Sequence, residues 1–382
     1  MKKKKILIYG WFGHENLGDE LILKSIIKTI KDADSNAIIN VMGAKPKNIE
    51  KYHNGLNNVS TNVDLRFTSI IRTFKYNPFK VVKNLLFNDY LVIGSGGALS
   101  DWNPNSTITL FFMINLFKKV LKKPVILLGV GAGPITKEES KSKFRKILER
   151  VDFICLRDRE SYDLLESIGL KNIKLTNDVV YDLNGCFPQN KNESNVDKSK
   201  IAIVVTPLIL STDKKKKDYI DAMINYILEL KKSNVDIKLI PFQYDYDIDF
   251  LKQIQVKTNT DIYEDGKDDI WGILNELNNY DLVVGMRFHA VVTSILLNIP
   301  VLPIIYHAKV SSCVKDFELQ SVAQSIGDGS NWINVDINTE KMVSDTLKLL
   351  DNKESEKDRL KNILAYKFKN DNLEIIKKFI RN

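Results

Sequence analysis

Cysteine, histidine and long apolar runs are all scarce in this chain. Its three cysteines, Cys155, Cys186 and Cys313, lie far apart and never form a CxxC pair. That spacing argues against a zinc site or a disulfide framework, and it fits a reducing, cytoplasmic compartment. No apolar stretch reaches the ~18 residues of a membrane-spanning helix. The apolar run 6–9 behind the basic start is too short for the core of a signal peptide. No GxGxxG follows the first apolar run, since Gly10, Gly13 and Gly18 have other spacings. The lysines are dispersed and no nucleic-acid recognition motif occurs, so nucleic acid is a poor partner.

What is present is an ordinary globular composition, 44% apolar and 9% aromatic, in a chain of 382 residues. That length suits about two domains. The net charge of +8 and the pI near 9.0 suit small acidic substrates or an anionic lipid surface without choosing between them. Short apolar runs at 6–9, 37–41, 90–93, 125–130, 153–156 and 172–175 alternate with stretches of helical period at 19–30, 78–87, 109–122, 137–150 and 159–168. Residues 45–88 are less regular. After the polar segment 184–200 the alternation restarts, with strands at 201–205, 235–240, 261–263, 282–284 and 301–305 and helices between them. Alternation of this kind predicts doubly wound parallel sheets. The fold expected is α/β: two Rossmann-like domains, 1–184 and 201–382, joined by a linker at 185–200 and facing across a cleft as in glycosyltransferase-B-like proteins. The helical tail is assigned to the second domain. Residues 109–123 (TLFFMINLFKKVLKK) are read as a helix packed on the sheet, with a membrane-lying helix as the alternative.

The polar chemistry gathers where strands end, which is where open α/β sheets bind ligands. Asp19 and Glu20 follow the first glycine-rich loop as candidates to bind or deprotonate a sugar hydroxyl, or simply to cap a helix. Gly96, Gly97 and Asp101 follow one strand, and Gly131 and Gly133 follow another, offering backbone amides to a ligand. Arg157 ends a strand, where it can grip a carboxylate or phosphate in two-point fashion or pair with Asp158. In the stretch 281–309, Arg287, His289, His307 and Lys309 fall within one strand–helix–strand unit. Basic groups so close together call for an anion among them. No carboxylate/histidine cluster has metal-ligand spacing, so no metal is expected; no organic cofactor is expected either.

Taken as an ordered set, GWFGHENLGDE (10–20), GSGGALSD (94–101), GVGAGP (129–134), Arg157-Asp158 with Ser161, Asn177-Asp178, GMRFHA (285–290) and Lys309 resemble the polysaccharide pyruvyl transferase family. The resemblance spans roughly 6–312. It implies a glycosyltransferase-B-like fold and transfer of the enolpyruvyl unit of phosphoenolpyruvate onto two hydroxyls of a sugar, with release of phosphate. It implies functional roles for Arg157, His289 and Lys309. His289 is the expected general acid, and Arg157, Arg287 and Lys309 are the expected anion binders. Asn16, Asp19, Glu20, Gly96, Gly97, Asp101, Gly131, Gly133, Asp178 and His307 complete the expected substrate-binding set. Many members have Asp-Pro before the lysine, where this chain has His307 and Ala308, which alters the donor pocket. The acceptor is a sugar, lipid-linked, nucleotide-linked or polymeric, and a lipid-linked one would bring the protein to the inner membrane face. The rival readings are a nucleotide-sugar glycosyltransferase and a non-catalytic glycan-binding protein.

Overall fold

A computed structural model describes residues 3–62, 78–97, 99–101, 104–187, 198–207, 213–326, 337–368 and 371–381. The chain divides into two compact units. The first comprises residues 1–14, 19–183 and 370–382, and the second comprises 15–18 and 184–369.

The first unit holds a seven-stranded parallel sheet in the order β3-β2-β1-β4-β5-β6-β7. Its strands are β1 (Lys5–Tyr9), β2 (Ile38–Gly43), β3 (Asn58–Thr61), β4 (Tyr90–Ile93), β5 (Val125–Val130), β6 (Phe153–Leu156) and β7 (Ile173–Leu175). All six residues of β5 are buried, as a strand covered on both faces requires. β1 pairs with β2 on one side and β4 on the other, so successive crossovers leave in opposite directions between β1 and β4. Strands β4, β5 and β6 have the limits their apolar runs predict.

β3 is a strand the apolar pattern does not reveal. Asn58 and Ser60 within it are buried, as are Asn40, Asn84 and Asn88 around it. Asn84 Nδ2 donates to Val41 O at 3.0 Å and to Ser60 Oγ at 2.9 Å, and Asn58 Nδ2 donates to Asn84 Oδ1 at 2.6 Å. Polar groups buried this way are tolerated because they satisfy one another. The remainder of the irregular stretch, 63–77, lies outside the described residues, as does most of the expected linker, 188–197.

The second unit repeats the topology with six parallel strands in the order β10-β9-β8-β11-β12-β13. These are β8 (Ser199–Val204), β9 (Val235–Leu239), β10 (Asp261–Ile262), β11 (Leu282–Gly285), β12 (Val301–Ile305) and β13 (Gln324–Ser325). β8 lies between β9 and β11, which makes the β8/β11 junction the point where crossovers diverge. Its core packs Ile201, Ile203, Leu239, Val284, Leu302 and Ile304 against Met223, Tyr226 and Leu251 of the covering helices.

The tail does not stay with the second unit as expected. Its last helix, Asp371–Arg381, belongs to the first. There Phe379 stands edge-on to Tyr90 at 5.4 Å, and the Tyr90 hydroxyl donates to Ile380 O at 3.2 Å. Residues 15–18 likewise cluster with the second unit although they follow β1.

Candidate active site

In the second unit the polar groups converge at the β8/β11 junction. β11 ends at Gly285, and Arg287 precedes the helix Phe288–Leu296 as its N-cap residue. Arg287 makes a two-point ion pair with the fully buried Asp247, Nη2 to Oδ1 at 2.5 Å and Nε to Oδ2 at 3.2 Å. Asp247 lies in the first turns of the helix Tyr244–Thr258, which follows β9. It also accepts from Thr206 Oγ1 at 2.8 Å and from the amides of Phe242 and Gln243 at 3.1 and 3.0 Å. Tyr219 donates its hydroxyl to Thr206 O at 3.0 Å. Burial, then the nearby Asp247 charge, raise that phenol well above its ordinary range, so it stays a donor. The Arg287 guanidinium lies 5.6 Å from the Tyr246 ring centre. Arg287 is therefore charge-compensated, which revises the picture of several uncompensated cations around one anion. Deleting one partner of a buried pair of this kind costs roughly 3–5 kcal/mol, because the other charge is stranded.

His289 is half-buried on the first turn of the same helix, its ring edge-on to Phe288 at 4.9 Å. The backbone of residues 15–18 runs beside it. Leu17 N donates to Phe242 O at 2.9 Å, and Asn16 bridges Gln243. Asn16 Oδ1 accepts from Gly18 N at 3.1 Å, so its side chain shapes this loop. A Cβ on Gly18 would stand 2.1 Å from His289 Nδ1 and 3.0 Å from its Cβ. The glycine thus makes room for the imidazole.

Lys309 lies not on a strand end but in the first turn of the helix Ala308–Asp316, a helix the sequence pattern did not reveal. His307 is its N-cap: Nδ1 accepts from Lys309 N at 3.3 Å. Lys309 Nζ lies 5.8 Å from the Tyr306 ring centre.

In the first unit Arg157 follows β6 and is nearly buried. Its Nη1 donates to Asp178 Oδ2 at 3.1 Å, and its Nε lies 3.5 Å from Asp158 Oδ2. Gly96 and Gly131 line its path. A Cβ on Gly131 would come within 3.1 Å of Nε and Nη2 and 2.8 Å of Gly96 O; one on Gly96 would come within 3.0 Å of Nη1. The glycines are present here because a buried guanidinium passes close to backbone. Gly97 has open space around it, and Gly133 has a left-handed backbone, φ +110°. Ser161 Oγ accepts from Ala132 N at 2.7 Å and fastens this turn to the helix Arg159–Ser167, which Asp158 caps through Ser161 N at 2.8 Å. Asp178 also caps the turn that follows it, accepting from Val180 N at 3.0 Å.

Two acceptor-side candidates have structural tasks. Glu20 is fully buried, with Oε1 accepting from Gly13 N at 2.6 Å and Oε2 2.9 Å from His53 Nε2. It braces the 10–14 loop through Gly13, whereas Asp19 is partly exposed. Asp101 Oδ2 accepts from Thr136 N, Thr136 Oγ1 and Lys137 N at 2.8, 3.2 and 3.2 Å. Its slight burial acts to raise the carboxyl, but the hydrogen bonds from Lys137 and Thr136 outweigh it and hold the group below its ordinary value.

Two groups went unnoticed in the sequence. Asp247 hides among Asp245 and Asp249 in a run that reads as an acidic helix start. Asp182 is pushed up to about 7, by burial first and by the nearby Asp178 charge, against hydrogen bonds from Asn372 and Thr29. Its partner Asn372 lies 190 residues away, 3.2 Å from Asp182 Oδ2, and no local pattern announces it.

A sequence model described as polysaccharide pyruvyl transferase matches residues 16–308. No curated protein matches the chain. Among solved structures, the chain resembles Staphylococcus aureus MnaA in a co-structure with UDP, at 13% identity and TM-score 0.62, covering 100% of this chain and 96% of that one. It also resembles UDP-GlcNAc 2-epimerase from Neisseria meningitidis bound to UDP-GlcNAc, at 12% identity and TM-score 0.61, covering 99% and 100%. A glycosyltransferase from Rickettsia africae aligns at 11% identity and TM-score 0.61 over the whole of both chains. These likenesses place the fold with the glycosyltransferase-B-like proteins.

Proposed function

Because the chain belongs to the polysaccharide pyruvyl transferase family, we propose that it transfers the enolpyruvyl unit of phosphoenolpyruvate onto two hydroxyls of a sugar, forming a pyruvate ketal and free phosphate. The observation that carries this reading is the placement of His289, a half-buried imidazole on the first turn of the helix that follows β11 at the β8/β11 junction. Ligands of open α/β sheets collect at such junctions, and helix N-termini favour anions. Phosphoenolpyruvate carries a carboxylate and a phosphate. In this scheme Lys309 supplies a mobile cation for it, and the helix N-terminus that bears His289 supplies oriented amides.

His289 as imidazolium gives its proton to C3 of the donor, which leaves an oxocarbenium-like centre at C2 stabilised by the phosphoryl oxygen. A sugar hydroxyl attacks C2. The C2–O bond to phosphate breaks, and the second hydroxyl closes the ketal. One hydroxyl proton restores the imidazolium and the other leaves with phosphate, so atoms and charge balance. An imidazole suits this task because its unperturbed pKa lies near neutrality. Arg287, with its charge already matched by Asp247, positions the start of the helix, while the buried Arg157 organises the Gly96 and Gly131 turns.

The test is phosphate release from phosphoenolpyruvate in the presence of candidate acceptor sugars. Wild type is expected to release phosphate stoichiometrically with ketal formation, and His289→Ala to lose turnover. Ketal formation by His289→Ala at the wild-type rate would remove the histidine from the mechanism.

A further inference from the structure

The helix Pro78–Leu86 has two apolar faces. Val81 and Leu85 are buried against the first unit's core. On the adjoining face Phe79 is 87% exposed, Val82 39% and Leu86 42%, followed by Phe87 at 61%. The spacing of Phe79, Val82 and Leu86 sets them along one stripe. A second helix ends beside it: Lys123 Nζ donates to Leu86 O at 2.8 Å, and the turn just before, the π-helical Leu116–Val120, leaves Val120 70% exposed. Isolated exposed apolar residues are ordinary, but adjoining aromatic and aliphatic side chains this open to water mark an interaction surface.

The charges around the patch narrow the choice of partner. Residues 78–87 and 116–123 together contain the lysines Lys80, Lys83, Lys118, Lys119, Lys122 and Lys123 and no acidic residue. Lys80 is matched by Glu50 at 3.0 Å and Lys118 by Asp152 at 2.8 Å. Lys83, Lys119 and Lys122 are exposed, each on the same two segments as the exposed apolar side chains. A two-fold contact between copies would set this lysine rim against itself, which disfavours a second copy as the occupant. Phenylalanine, leucine and valine rimmed by lysine is the composition of surfaces that lie in the interfacial layer of an anionic membrane.

We infer that the patch formed by Phe79, Val82, Leu86, Phe87 and Val120, with Lys83, Lys119 and Lys122 around it, docks the protein on an anionic lipid bilayer. The apolar side chains enter the headgroup layer and the lysines meet lipid phosphates. The surface differs from a membrane-lying helix over 109–123, because the apolar residues Leu110, Met113, Ile114 and Phe117 of that stretch are buried in the core. Among the described residues no helix is long and apolar enough to cross a membrane, so the attachment is to one leaflet. The inference stands apart from the donor chemistry, since it involves none of the residues placed at the candidate active site.

Co-sedimentation of the full chain with vesicles tests it, using phosphatidylcholine alone and phosphatidylcholine mixed with phosphatidylglycerol. Wild type is expected to pellet with the mixed vesicles and remain in solution with the neutral ones. Phe79→Ser with Phe87→Ser should abolish binding. Lys119→Glu with Lys122→Glu should weaken it by roughly fivefold for each lysine charge removed. All four side chains are solvent-exposed, and circular dichroism checks that both variants keep the wild-type fold. Equal binding to both vesicle types, no binding to either, or unchanged binding by both variants would overturn the proposal. So would a wild-type dimer in light scattering that the phenylalanine variant dissociates, because a second copy would then be the occupant.

Discussion

Gly18 and His289 are fitted to one another at the level of single atoms. Geometry requires glycine here: any side chain at 18 would collide with the imidazole near its own Cβ, where the ring cannot swing clear cheaply. Gly18→Ala should therefore lower kcat by about tenfold or more and also lower the thermal midpoint, while His289→Ala in the Gly18→Ala background should restore the midpoint by removing the clash, a 1 Å misplacement being enough for such a loss of rate. His289→Ala should lose turnover but keep stabilisation by phosphoenolpyruvate, whereas Lys309→Ala should raise KM for the donor. Asp182 carries a separate prediction. Its folded-state value of about 7 lies above the ordinary 3.8, so between those values the folded chain holds a proton that the unfolded chain has lost. The stability this contributes is complete below the lower value and is lost as pH rises through about 7. Thermal midpoints of wild type and Asp182→Asn, compared from acid to mildly alkaline pH, should diverge in favour of the variant as pH rises. Parallel curves would contradict the assignment.

Elements show where the sequence was legible and where it was not. β4, β5 and β6 could be read to the residue because a parallel strand covered on both faces must be continuously apolar. β3 was hidden, since its Asn58 and Ser60 read as loop residues until Asn84 arrives from a distant helix to satisfy them. The helix Ala308–Asp316 was hidden for a related reason. His307 looked like a ligand when it is also the residue that caps that helix. Motif positions were legible, but their partners were not: nothing local announces that Asp247 neutralises Arg287 or that Asp178 holds Arg157. Asp247→Ala should destabilise the second unit by roughly 3–5 kcal/mol, read as a lower urea midpoint, by stranding the guanidinium in a largely buried position. Replacing the pair together, Asp247→Asn with Arg287→Met, should recover part of that loss, because the amide oxygen at 247 can still accept from Thr206 and the Phe242 and Gln243 amides, without recovering activity.

At the scale of the whole molecule, two Rossmann-like units of the same strand order share one chain, and the chain does not respect a simple boundary between them. Asn184, where the polar segment 184–200 begins, is where the chain passes to the second unit. The return of Asp371–Arg381 to the first unit depends on contacts such as Phe379 with Tyr90, which join residues nearly 300 positions apart and leave no periodic trace. The fold is shared with epimerases and glycosyltransferases of very low sequence identity, so it does not by itself choose the donor. The choice rests on family membership and on the histidine at the β8/β11 junction. A thermal-shift titration of the wild-type chain, with phosphoenolpyruvate and UDP-GlcNAc in parallel, tests it most directly. Saturable stabilisation by phosphoenolpyruvate, reduced in Lys309→Ala and absent with the nucleotide sugar, is the predicted result. Stabilisation by the nucleotide sugar alone would contradict the account and replace phosphoenolpyruvate with a nucleotide sugar as the ligand.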